Sequence, residues 1–366
     1  MFSNTYKKKT VIVTGHTGFK GSWLTLWLKL LGAKVIGISL DPPSSPSNFI
    51  ASNIKDILNE DIRIDIRSYK ILFKEINRIK PDFVFHLAAQ ALVKNSYRNP
   101  IDTFEVNSIG SANLLYSLYK IDRPVKVVMI TSDKSYHNKE WIWGYRETDE
   151  IGGKDPYSAS KGMAELAIRS IIDSYHINNL NSKIKVAIGR AGNVIGGGDW
   201  ALDRIVPDCI KAWSKNKTVD IRNPYSTRPW QHVLEPLSGY LLLGEYLQKS
   251  AKINGEAYNF GPSINSDYNV EQLINEMKKH WENVRWKTES RIPSEHEAGL
   301  LKLNCEKAFS QLEWLPVMNF EETLELTVNW YKTYYDKPKI SMKYKTEEQI
   351  HKFMELARIK NYNWTK

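Results

Sequence analysis

A tyrosine and a lysine stand four residues apart, Tyr157 and Lys161, at the start of a long helical pattern. That spacing puts both side chains on one helix face. A free tyrosine hydroxyl titrates near about 10 and is a poor base at neutral pH. A neighbouring ammonium favours the phenolate and brings it toward working range. Two surface residues at a helix start form the competing reading, and the pair alone is common. Position adds weight, because Thr131, Ser132, Asp133 and Lys134 close the apolar run that precedes the helix. A hydroxyl, a carboxylate and an ammonium at a strand's carboxyl end suit proton transfer.

Such groups need a scaffold, and the first forty residues describe one. Residues 10–13 form a β-branched run, followed by Gly15, His16, Thr17, Gly18, Phe19, Lys20 and Gly21. Trp23, Leu24, Trp27, Leu30 and Leu31 then recur at helical spacing, Gly32 ends the helix, and residues 34–40 read as a buried strand. Strand, glycine turn, helix and strand make the first unit of a dinucleotide-binding fold. Glycine there lets the backbone approach a pyrophosphate seated on the helix N-terminus. Asp41 follows Gly21 by 20 residues, where a carboxylate bonds ribose hydroxyls. It would repel a 2′-phosphate and so favours NAD over NADP. Lys20 pulls the other way, as a cation able to hold such a phosphate, and a turn cap before Pro42 is the plainer role for Asp41.

The alternation continues. Residues 62–66 form a third strand, 69–79 a helix stopped by Pro81, and 83–87 a fourth strand running into Ala88, Ala89 and Gln90. Residues 102–119 are helical, 126–131 a fifth strand, 157–177 a helix and 185–189 a sixth strand. This order predicts an α/β, Rossmann-type doubly wound parallel sheet. Past Ala191, glycines, prolines and tryptophans loosen the pattern. Helices are expected at 233–247 and 270–281, a strand near 258–260, and a last amphipathic helix through Leu324, Val328, Tyr331 and Tyr335. The division expected is a dinucleotide-binding domain over 1–191, a smaller α/β substrate domain over 192–336, and a basic tail over 337–366 with one helix near 346–358.

Composition narrows the class. The chain has 366 residues, 42% hydrophobic and 25% charged, which suits a globular protein with a sizeable core. The longest apolar stretch, 23–40, is broken by Lys29 and Lys34, so no membrane span is expected, nor a signal peptide before the first strand. Cys209 and Cys305 are the only cysteines, which fits a reducing cytoplasm. The eight histidines show no ligand spacing, so no metal is expected. The net charge of +10 is spread along the chain, and no nucleic-acid-binding motif accompanies it. A solvated basic surface is the ordinary reading; a diphosphate ligand needs only a few of these charges.

Longer blocks carry a resemblance. TGHTGFKG at 14–21, HLAAQ at 86–90, Tyr157 with Lys161, and RAGN at 190–193 resemble the extended short-chain dehydrogenase/reductases. TSDK at 131–134, EWIWGYRE at 140–147, RAGNVIGGGDW at 190–200 and RNPYSTRPWQHVLEPLSGY at 222–240 resemble the CDP-glucose 4,6-dehydratase family within them. The likeness runs from about residue 9 to residue 335 and fades in the tail.

The resemblance implies a 4,6-dehydration of a nucleotide-linked hexose, with CDP-D-glucose the first expectation. Another nucleotide sugar, or an epimerase or reductase of the same fold, is the alternative. It implies NAD held by Gly15, Thr17, Gly18, Phe19, Lys20, Gly21, Asp41, Asp65, Ile66, Leu87, Ala88, Ala89, Gln90, Tyr157 and Lys161. Tyr157 would take the 4-hydroxyl proton as hydride leaves carbon 4, Lys161 would lower the tyrosine's pKa, and Ser132 would bond the 4-oxygen. Asp133, protonated, would donate to the departing 6-hydroxyl. In dTDP-glucose dehydratases a glutamate takes the carbon-5 proton where this chain has Lys134, which leaves the lysine as base or as enolate stabiliser. Ser96, Asn193, Arg204, Arg222, Arg228 and His296 are assigned to the nucleotide sugar, with surface ion pairs the competing role for the arginines. An ordinary loop competes for His296 and Glu297, and a plain strand end for Asp65 and Ile66. Trp141, Trp143, Trp200 and Trp230 are expected to pack. By analogy, a homodimer or homotetramer would assemble through helices 102–119 and 157–177.

Overall fold

The computed structural model describes residues 1–263, 268–288, 300–337 and 340–366. Seven parallel strands form its centre: β1 (Thr10–Thr14), β2 (Lys34–Ser39), β3 (Glu60–Arg63), β4 (Phe83–His86), β5 (Val125–Ile130), β6 (Ile184–Ala191) and β7 (Ala257–Phe260). Their spatial order is β7-β6-β5-β4-β1-β2-β3. The chain crosses from one half of the sheet to the other between β1 and β4, and ligands of such sheets bind outside the strand ends at that switch point. The expected α/β, doubly wound parallel sheet is therefore present.

Both faces are covered, and the strands show it residue by residue. In β1, Val11 and Val13 enter one core while Ile12 enters the other. In β4, Phe83 and Phe85 face the first core and Val84 the second. Because side chains alternate along a strand, a near-continuous apolar run is what a sheet buried on both faces requires. Helices α2 (Tyr69–Ile79), α3 (Gly110–Lys120) and α4 (Pro156–Ser174) close one face through Leu72, Ile76, Leu114, Leu118, Ile168 and Ile172. On the other face lie α1 (Phe19–Leu30), α5 (Leu234–Lys249), α6 (Phe320–Asp336) and α7 (Met342–Ile359).

Three departures from the sequence reading matter for the site. The third strand ends at Arg63, so Asp65 and Ile66 lie in the loop after it. The helix expected over 102–119 is broken into Pro100–Phe104, a π-type turn over Glu105–Ile109, and α3. The seventh strand comes from residues 257–260, and α5 packs on β5 and β6, so the chain beyond residue 191 returns to build the first domain's sheet.

The tail is the fourth departure. Residues 342–359 form an amphipathic helix whose Met342, Ile350, Phe353 and Ala357 are buried in the main core. Phe2 stacks on Trp364 with centroids 5.0 Å apart, and the Met1 ammonium donates to the Lys366 carbonyl at 3.1 Å. The helix expected near 346–358 is present and longer, and the lysines there mark the solvent side of a helix packed into the core.

Candidate active site

One cavity of about 1570 Å³ runs along the carboxyl ends of the strands and holds both the glycine turn and the Tyr157–Lys161 pair. Two glycines of the turn are there by necessity. Gly15 has φ +74, and a Cβ on it would meet the Ala88 backbone at 2.7 Å. A Cβ on Gly21 would meet the Gly15 carbonyl oxygen at 2.1 Å. The turn thus lies flat on the end of β4, and no side chain caps α1, whose first amides remain open toward the cavity. Open amides and the helix dipole make this end a seat for an anion.

The end of β4 is held by a buried histidine. Burial lowers the His86 pKa to about 3, so the ring is neutral. Ser111 gives its proton to the Asn107 carbonyl, so it accepts from His86 Nε2 at 3.0 Å; Nδ1 then accepts from Thr14 at 2.8 Å. Asn107 does the same work one step further out. Its Oδ1 accepts from the Gln90 amide at 2.8 Å, and its Nδ2 donates to the Gln90 carbonyl and to Ser160. Asn107 sits in the π-type turn, which widens the helix there. The sequence reading missed it; the only signal was a run of small residues, Asn107, Ser108, Gly110 and Ser111, inside a helix.

Helix α4 begins where its cap dictates. Asp155 accepts from the Ser158 amide at 2.9 Å, and Pro156 occupies the first turn. This start sets Tyr157 and Lys161 on the face that meets the end of β5. Ser132 donates to Asp133 Oδ1 at 2.8 Å and is hydrogen-bonded to Tyr157. A continuous chain Tyr157–Ser132–Asp133 results, with all three groups nearly buried. Gly192 leaves room for it, since a Cβ there would stand 3.0 Å from Asp133 Oδ2.

The electrostatics differ from the expectation in one respect. Burial raises the Tyr157 pKa to about 12, against the Ser132 hydrogen bond and the Arg204 charge, which lower it. The Lys161 ammonium lies 5.9 Å from the tyrosine ring centroid and is not what offsets that burial. Burial lowers Lys161 itself to about 8. Lys20 also moves from its expected place. Its charge lies with those of Arg204, Asp133 and Lys161, not with Asp41, and burial first and Arg204 second lower its pKa to about 8. It therefore belongs to the reacting end of the cavity and not to a ribose phosphate.

Most of the other assigned residues line the same cavity: Thr17, Gly18, Phe19, Asp41, Asp65, Ile66, Leu87, Ala88, Ala89, Gln90, Lys134, Asn193, Arg204, Arg222 and Arg228. The Asp41 side chain is 92% exposed, with Arg63 at 3.7 Å. Asp65 is gripped by Arg67, which lowers its pKa and takes both carboxylate oxygens at 2.6–2.9 Å. Arg204 is fixed by Asp199 at 2.6 Å, a partner the sequence reading overlooked. Ser96 is the misplaced one: it is fully buried, donates to the Val93 carbonyl, and does not line the cavity. His296 and Glu297 lie outside the described residues. Trp200 and Trp230 are buried packing residues as expected, whereas Trp143 is 66% exposed.

Among the described residues no group of histidine, cysteine and carboxylate side chains could hold a metal. No described helix is long and apolar enough to cross a membrane.

With this geometry in hand, relatives become informative. The family described as GDP-mannose 4,6-dehydratase matches residues 12–327. The chain belongs to this family. CDP-glucose 4,6-dehydratase of Salmonella typhimurium is 46% identical over 334 residues, 90% of this chain and 92% of that one. Among solved structures, Pal from Bacillus thuringiensis superposes with a TM-score of 0.76 at 26% identity, covering 89% of this chain and 99% of its own. DesIV, a dTDP-glucose 4,6-dehydratase from Streptomyces venezuelae solved with NAD bound, gives 0.74 at 22% identity, covering 90% and 99%. The family match stops at residue 327, so the buried helix α7 lies beyond the part of the chain that the GDP-mannose 4,6-dehydratase family describes.

Proposed function

We propose that the chain dehydrates CDP-D-glucose to CDP-4-keto-6-deoxy-D-glucose, with NAD retained through each cycle. The observation that carries this reading is the hydrogen-bonded run Tyr157–Ser132–Asp133 in the cavity that also holds the glycine turn. The likeness to the Salmonella enzyme supports the choice of nucleotide.

The residues present fit the cofactor. The open amides of α1 suit a pyrophosphate, Gly15 and Gly21 allow its close approach, and Asp41 at the cavity edge suits an unphosphorylated ribose. Bound there, NAD supplies a hydride acceptor for carbon 4 and a donor for carbon 6. Everything else falls to the chain. Tyr157, once ionised to the phenolate, receives the 4-hydroxyl proton, and Ser132 turns its own proton from Asp133 to hold the same oxygen. The ketone at carbon 4 makes the carbon-5 proton acidic, because the electron pair left behind spreads onto oxygen as an enolate. Asp133 gives a proton to the leaving 6-hydroxyl, which departs as water. Lys134 stands beside Asp133 and acts at carbon 5, as base when neutral, or as a charge beside the enolate while another group takes the proton. Arg204, Arg222, Arg228 and Asn193 hold the diphosphate end, a task suited to guanidinium forks. Asp133 with Lys134 favours elimination over epimerisation, since an epimerase needs no acid at carbon 6.

The coarser surroundings fit a cytoplasmic enzyme with two unpaired cysteines. Exposed Ile109, Met163 and Leu166 on the expected helices support self-association as a homodimer or homotetramer.

The test is incubation with CDP-glucose and, separately, with dTDP-, UDP- and GDP-hexoses, following loss of one water by mass and the ketone's absorbance in alkali. Conversion of CDP-glucose alone is the expected outcome. Conversion of another sugar nucleotide instead would overturn the nucleotide, and absence of water loss from any would overturn the reaction.

A further inference from the structure

Thr346, in the first turns of α7, is fully buried, and its hydroxyl ties three elements together. It accepts from Trp330 Nε1 of α6 at 2.9 Å and shares its one proton between the Met342 carbonyl at 2.8 Å and the Ser52 hydroxyl at 3.1 Å. From Ser52 the connection runs to the cavity wall on the β2 side. Ser52 donates to Asn48 Oδ1 at 2.6 Å, and Pro46 and Ser47, just before it, line the cavity.

From Trp330 it runs to a second stretch of wall. The Trp330 ring lies so close under Gly197 that a Cβ there would overlap it at 2.0 Å. The next residue of α6, Tyr331, donates to the Asp199 carbonyl, and the Asp199 carboxylate holds Arg204 at 2.6 Å. Arg204 in turn lies close enough to Tyr157 for their charges to interact. The two walls also meet directly: the Asn48 amide donates to the Gly198 carbonyl at 3.1 Å, and Gly198 has φ +84 with its missing side chain facing Asn48.

We propose that α7 is a strut that sets the width of the nucleotide-sugar cavity, with Thr346 as the positioning residue that joins its two walls. The inference rests on the reading above that Arg204 holds the substrate. Thr346 touches no ligand; it acts through Trp330 and Asp199 on one side and through Ser52 and Asn48 on the other. A helix serving stability alone would need apolar contacts here. A buried hydroxyl linked to the loops of both walls is costly to leave unpaired, so removing it shifts those loops as well as weakening the fold.

The experiment compares the full-length protein with Thr346→Val, Thr346→Ser and Ser52→Ala. The readouts are steady-state kinetics on CDP-glucose, the dissociation constant of CDP by calorimetry, and Tm. Valine keeps the volume and removes the hydroxyl. Thr346→Val is expected to raise KM and the CDP dissociation constant roughly tenfold while kcat changes less than about twofold. Thr346→Ser should restore both, and Ser52→Ala, which cuts the link without touching α7, should raise KM about threefold. A lowered Tm with KM and CDP affinity unchanged in Thr346→Val would overturn the proposal. If that variant does not fold, an unchanged KM in Ser52→Ala overturns it instead. A wild-type protein that neither converts CDP-glucose nor binds CDP would sink the functional reading, and the strut would fall with it.

Discussion

Two buried tyrosines, Tyr136 in the loop after β5 and Tyr157 in the first turn of α4, separate by their contrast a candidate site from a fastening. Tyr136 donates to Asn259 Oδ1 at 2.8 Å and accepts from Arg190 Nη1 at 2.7 Å. Arg190 is itself paired twice with Glu165, at 2.8 and 3.0 Å, and Glu165 also accepts from Thr131. Burial works against the Arg190 charge, but Glu165 outweighs it and holds the guanidinium well above its ordinary value. Every charge in that cluster has a partner inside the protein, so nothing there is left to react. Tyr157 is also buried with a cation nearby, yet its hydroxyl leads to Ser132 and on to Asp133 at the cavity. The ingredients are alike. What differs is whether the last partner is protein or ligand.

The largest break in this comparison should come from Tyr157→Phe. If the hydroxyl carries the proton, kcat on CDP-glucose falls about a thousandfold, near 4 kcal/mol in barrier, while Tm stays within a few degrees. Retention of more than a tenth of the wild-type rate would remove Tyr157 from the chemistry.

Glu165→Gln tests the fastening. It leaves the Arg190 guanidinium buried beside a neutral partner, and breaking a buried pair in this way costs roughly 3 kcal/mol of stability. Denaturant unfolding should show that loss, with kcat in the surviving folded protein within a few-fold of wild type. A stable variant with a collapsed kcat would place Glu165 in the reaction and erase the distinction.

A smaller effect follows from Lys161. Its pKa is lowered to about 8 by burial, below its unfolded value near 10.5. Between those values the unfolded chain binds more protons than the folded one, so stability rises with pH in that window. Folding therefore carries the full cost of the buried charge below pH 8 and sheds it progressively above. Unfolding measured from pH 7 to pH 10 should show a rise of about 1–2 kcal/mol that Lys161→Met removes. An equal rise in the variant would assign the effect elsewhere, with Lys20, also lowered to about 8, the next group to change.

Much of this was legible from residue types and spacing. The glycine turn, the strand alternation and the Tyr157–Lys161 pair are local patterns, each set by its own element's period or turn geometry. Most of the assigned binding residues do reach one cavity, because loops at the carboxyl ends of parallel strands have nowhere else to converge. The failures are of another kind. Ser96 looked available and is buried, since six helical residues turn it inward. Lys20 was placed by its position in the loop, but a long side chain goes where its charge is compensated, and here that is toward Asp133. Asn107 and Asp199 went unread because each acts through a partner remote in sequence or hidden in a loop.

By itself, then, the sequence determined the order of strands and helices, the seat for a dinucleotide and the candidates for the reacting groups. These depend on contacts within a turn or two of chain. The tertiary structure alone decided that residues 257–260 complete the sheet and that a lysine-rich tail becomes a packed helix. It also decided that Arg190 is silenced while Tyr157 stays open to the cavity. The reason is common to all three: burial and charge compensation are properties of neighbours brought together from distant parts of the chain, and no local pattern encodes them.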